Sequence, residues 1–357
     1  MDCRNPETRG KAHRIMLGVP LLIGLAAPAN SQDAAEHGVA PWSEAVISVA
    51  AFEPATNLFR HAGHWRLTHS GSVDRSELDY WHLAPSVSAT FERWCAPQAD
   101  TGCIRFVRFE GVEQEPIRPA ARPWDTGGIF SVMMRSDEIP ALYKQALELG
   151  WWAESPPIDF SFGTSQLRNV VLQGPHGINV AVYQRITPEF TGFPVGRLSE
   201  GFNSMRMTRD YTVERDFFRE TLGFGTLFDS PTDITEPAFS NLSIPYNYTT
   251  RIPRAAAALH PVEGETGRVE VMQIMGFTGH DHSAKASPPN LGIISVRYPV
   301  RDFARYKALL EKRGAASEYS AEKADIPGIG AVAIFAVRAP DGALTEFYET
   351  PKAPGEE

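Results

Sequence analysis

The sequence predicts an α+β chain built from four look-alike units, and three observations lead there. A strand run, an amphipathic helix, a glycine stop and further strands recur four times along the chain. The stops fall at Gly63, Gly150, Gly223 and Gly314, where glycine accepts the left-handed conformation that ends a helix. Their spacing of roughly 70–90 residues is too long for a solenoid and suits a compact module whose sheet needs a partner. Third, residues 339–349 form a Pro340-Asp341-Gly342 turn and a strand in which Glu346 sits among Leu344, Phe347 and Tyr348. A carboxylate in an apolar strand is costly to bury without a partner, so Glu346 is the first candidate for function.

In chain order, residues 1–29 read as a secretory signal peptide. Arg9, Lys11, His13 and Arg14 are basic, 15–27 is a short apolar run, and Ala27-Pro28-Ala29 offers a small-residue cleavage site. Residues 30–43 lead into the first unit, whose strand covers 45–50 and whose helix covers 54–62; later strands are expected at 64–69, 80–83 and 104–109. The second unit opens with a strand at 129–134. Its helix carries Ile139, Leu142, Ala146 and Leu149, and it closes with a strand at 179–184. The third has a strand at 203–208, a helix bearing Val213, Phe217, Phe218 and Leu222, and a last strand at 268–274. The fourth has a strand at 292–297, a helix bearing Val300, Phe303, Leu309 and Leu310, and the closing strand around Glu346. Residues 188–201 read as a linker between halves and 229–260 as a long loop or irregular hairpin.

The 357 residues, 43% of them hydrophobic, suffice for two domains. The expected division is 44–187, 202–350 and a tail at 351–357. A net charge of −9 without a basic cluster argues against a nucleic-acid partner. Nothing points to a membrane once the signal is removed. Cys95 and Cys103 flank a turn-rich loop and are expected to form a disulfide. That suits a periplasmic or secreted protein.

The helix end Leu222-Gly223-Phe224 and the closing Pro340 to Glu349 stretch resemble the vicinal oxygen chelate superfamily of glyoxalases, extradiol dioxygenases and bleomycin-resistance proteins. The resemblance implies four βαβββ modules paired into two domains, with curled mixed sheets around a cleft. Neighbouring units are expected to pair. Metal-using members take ligands from the first and last strands of each module. Carried over, those positions fall near Glu44, Arg105, Phe130 and Ala181 in the first half. In the second half they fall at Asn203, Glu270, Leu291 or Gly292, and Glu346. The histidines expected on first strands are missing.

Glu346 and Glu270 are therefore the expected base and ligand, facing each other in one cleft. Ion pairing with Arg206 or Arg297 is the alternative. His280 and His282, in the crossover at 276–290, are candidate proton carriers, and His280 with Glu346 and Glu270 a candidate metal set for one divalent ion, Fe, Mn or Zn, or none. Asn203, Met205, Arg206 and Tyr348 are the candidate substrate contacts. The expected function is an isomerase- or lyase-type enzyme acting on a small oxygenated hydrophobic or aromatic compound, working as a monomer or homodimer. A metal-free binding protein and a ring-cleaving dioxygenase with displaced ligands are the competitors.

Overall fold

The computed structural model describes residues 33–119, 122–232, 237–240, 242–276 and 278–350. The expected signal peptide and tail lie outside these residues. A short helix α1 (Asp33–Glu36) precedes the first unit. That unit comprises β1 (Glu44–Ser48), α2 (Phe52–Asn57) running on into a π-helical turn (Leu58–Ala62), β2 (Arg66–Ser72), α3 (Arg75–Tyr80), β3 (Ser88–Cys95) and β4 (Cys103–Glu110). The second comprises β5 (Ile129–Arg135), α4 (Ile139–Glu148), β6 (Ile158–Phe162), β7 (Ser165–Gln173) and β8 (Asn179–Thr187). The third comprises β9 (Asn203–Met207), α5 (Tyr211–Asp216) with another π-helical turn (Phe217–Thr221), β10 (Gly225–Thr232), β11 (Arg254–His260) and β12 (Arg268–Ile274). The fourth comprises β13 (Gly292–Val300), α6 (Phe303–Lys312), β14 (Ser317–Ile326), β15 (Gly330–Arg338) and β16 (Leu344–Glu349).

Two details depart from expectation. Residues 80–83 are not a strand; Asp74 caps α3 there by accepting from the Ser76 N–H at 2.8 Å, and the strand comes later as β3. Gly150, Gly223 and Gly314 adopt φ of 85°, 71° and 86°, but Gly63 stays right-handed and His64 takes the positive φ instead. The stop in the first unit thus falls one residue later.

The larger correction concerns pairing. One eight-stranded sheet runs β14-β15-β16-β13-β1-β4-β3-β2 and the other β10-β11-β12-β9-β5-β8-β7-β6. The first unit thus joins the fourth, and the second joins the third, rather than sequence neighbours. In each unit the first strand lies parallel to the last, and the two first strands meet antiparallel at the seam. The result is two curled mixed sheets with few helices, an α+β fold of two similar domains.

Side-chain alternation gives each sheet two faces. One face of both sheets buries Ile47, Phe106, Val132, Val180, Val271 and Phe347 in a shared core with Phe59, Leu142, Phe218 and Leu310 from the helices. The opposite faces line two separate hollows. In the first sheet that hollow is filled by Val46, Leu78, Tyr80, Trp81, Ile334 and Leu344. In the second it is lined by Phe130, Met133, Ala181, Met205, Ile274 and others.

Candidate active site

Six acidic and basic side chains, all buried, meet in the first hollow, five from its floor and Glu77 from α3. Glu346 on β16 lies in register with Arg297 on β13, which in turn lies opposite Glu44 on β1. Arg297 donates from Nε to Glu346 Oε2 at 2.5 Å, from Nη1 to Glu44 Oε1 at 3.1 Å and from Nη2 to Glu77 Oε1 at 2.8 Å. Arg105 holds the other Glu77 oxygen at 2.8 Å, and Arg93 the other Glu44 oxygen at 2.8 Å. The second Glu346 oxygen accepts from Trp81 Nε1 at 2.9 Å. Three carboxylates meet three guanidiniums, so the cluster is neutral and its forks are used. Burial alone would raise the Glu44 carboxyl, but Arg105, Arg297 and Arg93 together hold it below its ordinary value. Helix α3 sits on this cluster and closes the hollow with Tyr80 and Trp81.

The second hollow has the same register and different chemistry. Glu270 on β12 lies opposite Met205 on β9, and Met205 opposite Ser131 on β5. Ala181 on β8 pairs with Met133, two residues beyond Ser131, as Arg105 pairs with Val46 two residues beyond Glu44. Where the first sheet has Glu346, Arg297, Glu44 and Arg105, the second has Glu270, Met205, Ser131 and Ala181. Glu270 has therefore lost the partners that neutralise Glu346. Among the described residues it makes no hydrogen bond or ion pair. Burial pushes its carboxyl up to about 7, with Arg254 pulling the other way.

Around it stand Tyr183 from β8 and Arg254 from β11. Burial, and then Glu270, raise the Tyr183 phenol, which stays protonated throughout the physiological range. Ala258 lies opposite Glu270 and Ala256 opposite Met272. Ser131 Oγ and Asn203 Oδ1 are buried without a hydrogen-bond partner. Leu242, Ile244 and Ile252, from the segment between β10 and β11, pack across the hollow with Phe202.

The expected residues therefore divide. Glu270, Asn203 and Met205 share the second hollow. Glu346 and Tyr348 belong to the first, so the two glutamates expected to face each other lie on different sheets. Both oxygens of Glu346 are taken, the ion-pair alternative that the sequence left open. Arg206 points to the opposite face of β9 from Met205. It donates to Asp341 at 3.2 and 3.4 Å and to Thr345 Oγ1 at 3.2 Å, in the shared core. The crossover packs Ala286 into the cluster of the first hollow, but its histidines lie elsewhere. Its Asp281 bridges to Thr126, the His280 N–H donates to Asp125 at 2.8 Å, and Gly279 packs against Trp124. His282 Nε2 lies 3.9 Å and His280 Nδ1 3.5 Å from the Asp125 carboxylate. No contact joins either histidine to Glu270 or Glu346 among the described residues. Cys95 and Cys103 form a disulfide between β3 and β4. Phe277, the apolar residue at the start of the crossover, lies outside the described residues. Sequence reasoning missed Tyr183 and Arg254. Their only signal was alternation along β8 and β11, which becomes informative once Glu270 is placed.

A metal ion does not fit this donor set. Of the four register positions in the second hollow, Glu270 alone offers a carboxylate or imidazole; in the first, two of the four are arginines. Among the described residues no three His, Cys, Asp or Glu side chains are grouped to hold an ion.

No protein-family model matches the sequence, and no curated relative does. Solved structures do. The chain is similar to glyoxalase I from maize, Zea mays, at 14% identity over 87% of this chain and 92% of that one, with a TM-score of 0.58. A point mutant of that enzyme gives 13%, 90% and 97%, again at 0.58. A Bacillus subtilis protein assigned as a dioxygenase is similar at 10% identity over 88% and 86%, with a TM-score of 0.53. At such identities the likeness speaks for architecture. The chain has the vicinal oxygen chelate fold that its motifs predict.

Proposed function

We propose that the chain is an exported, metal-independent enzyme that moves a proton on a small hydrophobic or aromatic compound next to a carbonyl group. The observation that carries this reading is Glu270, a carboxyl without an internal partner, in an apolar hollow, with its titration brought near neutrality. Such a group is poised to take and return a proton at working pH. Tyr183 is a neutral donor beside it, suited to hold an oxygen that gains negative charge when the proton leaves. Met205, Met272 and Phe202 supply the apolar wall, and Leu242, Ile244 and Ile252 shield the site from water. The Cys95–Cys103 disulfide supports work outside the cytoplasm.

The test is proton exchange. In D₂O, a panel of aryl α-hydroxyketones incubated with the protein is expected to gain deuterium at the carbon beside the carbonyl, read by NMR. Glu270→Gln is expected to slow this by about a hundredfold or more while the protein stays folded. Added Zn, Mn or Fe salts are expected to leave the rate unchanged. An unaltered exchange rate in the folded Glu270→Gln protein overturns the proposal.

A further inference from the structure

The second hollow carries a guanidinium that no side chain among the described residues engages in a hydrogen bond or close ion pair. The fully buried guanidiniums are spoken for, and half-buried Arg185 lies against the Phe190 ring at 5.9 Å. Arg93, Arg105, Arg206 and Arg297 hold carboxylates, and Arg118 donates to three backbone carbonyls. Arg254 differs. Ala255, Ala257 and Leu259 face the shared core, so Arg254, with Ala256 and Ala258, faces the hollow. It is half-buried. Among the described residues it donates no hydrogen bond and meets no carboxylate within 4.0 Å. Burial lowers its pKa, and Tyr183 and Glu270 are the titratable groups near enough to oppose that. A guanidinium that has lost part of its hydration still carries five donors in a planar fork.

Resting on the reading that the Glu270 hollow is the working site, we propose that Arg254 binds a carboxylate on the substrate. The substrate class is then an amphipathic acid whose apolar end packs against Met205, Met272 and Phe202. The fork matches a carboxylate in two parallel hydrogen bonds, whereas an ammonium would not. A single negative charge is favoured over two, because Glu270 shares the hollow and repels a dianion. The charged and titratable groups facing the hollow are Glu270 and Arg268 from β12, Tyr183 and Arg185 from β8, Arg135 from β5 and Arg254 from β11; Arg268 is held by Glu265 at 3.3 Å. Arg135 is engaged elsewhere, stacked on Phe190 at 4.0 Å and 3.5 Å from Glu265.

The experiment titrates the intact protein with ω-phenylalkanoates of graded chain length, each beside its matched alcohol and phosphate monoester, by calorimetry. At least one acid is expected to bind about tenfold or more tighter than its alcohol, and tighter than its phosphate ester. Arg254→Met is expected to abolish the preference for the acid, and Arg254→Lys to restore part of it. Affinity for the acid is expected to fall as pH rises through about 7, where Glu270 gains its charge, and Glu270→Gln is expected to flatten that profile. Should Arg254→Met fail to fold, the lysine variant and the wild-type pH profile carry the test. Equal binding of acid and alcohol, preference for the phosphate ester, survival of the preference in Arg254→Met, or no binding by any acid each overturns the assignment. Proton exchange lost in Glu270→Gln beside an unchanged preference in Arg254→Met would leave the base in place and remove Arg254; the reverse result would do the opposite.

Discussion

At the scale of single residues, the contrast between Glu346 and Glu270 carries most of the argument. Both end up on the last strand of a unit, at the same rung of the same kind of sheet. Across that rung Glu346 meets Arg297 and Glu270 meets Met205. A neutralised carboxylate is a structural part; one left without a partner is held ready to titrate. Their substitutions should therefore behave oppositely. Glu346→Gln takes one of three carboxylates from Arg297, leaves the buried cluster with an excess positive charge, and is expected to cost about 3–5 kcal/mol in urea unfolding. Glu270→Gln is expected to cost little and to stabilise the protein at alkaline pH. The sign follows from linkage. The Glu270 pKa is raised from 4.5 to about 7 on folding, so its contribution is fully present below pH 4.5 and lost as pH rises through about 7. The amount is at most about 3 kcal/mol. Unfolding curves of both proteins between about pH 5 and 8 check it, and a gap that stays constant with pH refutes it. The last-strand position of Glu346 was legible from the turn-and-strand motif, and that of Glu270 from the strand run at 268–274 and the repeat. Their opposite fates were not, because the deciding partners come from strands far away in sequence, in a register no local pattern encodes.

Among the elements, α3 decides that the first hollow is closed. It was illegible as a helix because Tyr80-Trp81-His82-Leu83 has the apolar density of a strand, while the signal that ends the preceding strand is one capping residue, Asp74. Once formed, the helix presents Glu77 to both Arg105 and Arg297. Glu77→Ala leaves two buried guanidiniums short of a partner and is expected to destabilise by about 3–5 kcal/mol. Removal of the exposed Glu53 should be nearly silent. If the two changes cost the same, the cluster does not hold the hollow shut. The Cys95–Cys103 link, by contrast, was readable from spacing alone. Its sequence separation is 8, and by the loop-entropy relation its reduction is expected to cost about 2–3 kcal/mol, measured as a shift of the urea midpoint with reductant. The strand–helix order of each unit was equally plain, since periodicity and glycine stops are local properties.

For the molecule as a whole, the sequence could show four units but not which would share a sheet. Every unit offers the same free edge, its first strand. Part of the selection lies in side chains that meet at the seam, where Glu44 faces Arg297 in one sheet and Ser131 faces Met205 in the other. The two sheets are then tied together through their shared core by a second polar group. Arg206 of β9 reaches Asp341 and Thr345 of the fourth unit, and Glu214 of α5 accepts the Asp341 N–H at 2.8 Å. Glu214 Oε1 is buried without a partner. One guanidinium thus faces two buried carboxyls. Burial raises Glu214 well above its ordinary value, with Asp341 adding repulsion, and burial also raises Asp341 against the pull of Arg206. Both shifts have the same sign, so this junction stabilises the fold below the ordinary carboxyl range and loses that contribution as pH rises through the raised values. Glu214→Gln keeps the shape and removes the proton. In a Glu270→Gln background, where the hollow no longer contributes a slope, urea unfolding should still lose stability towards alkaline pH, and adding Glu214→Gln should flatten the loss. Asp341→Asn should instead weaken the protein at every pH, because Arg206 then loses the carboxylate it hydrogen-bonds. Parallel pH profiles with and without Glu214 would mean that the two sheets are joined by packing alone.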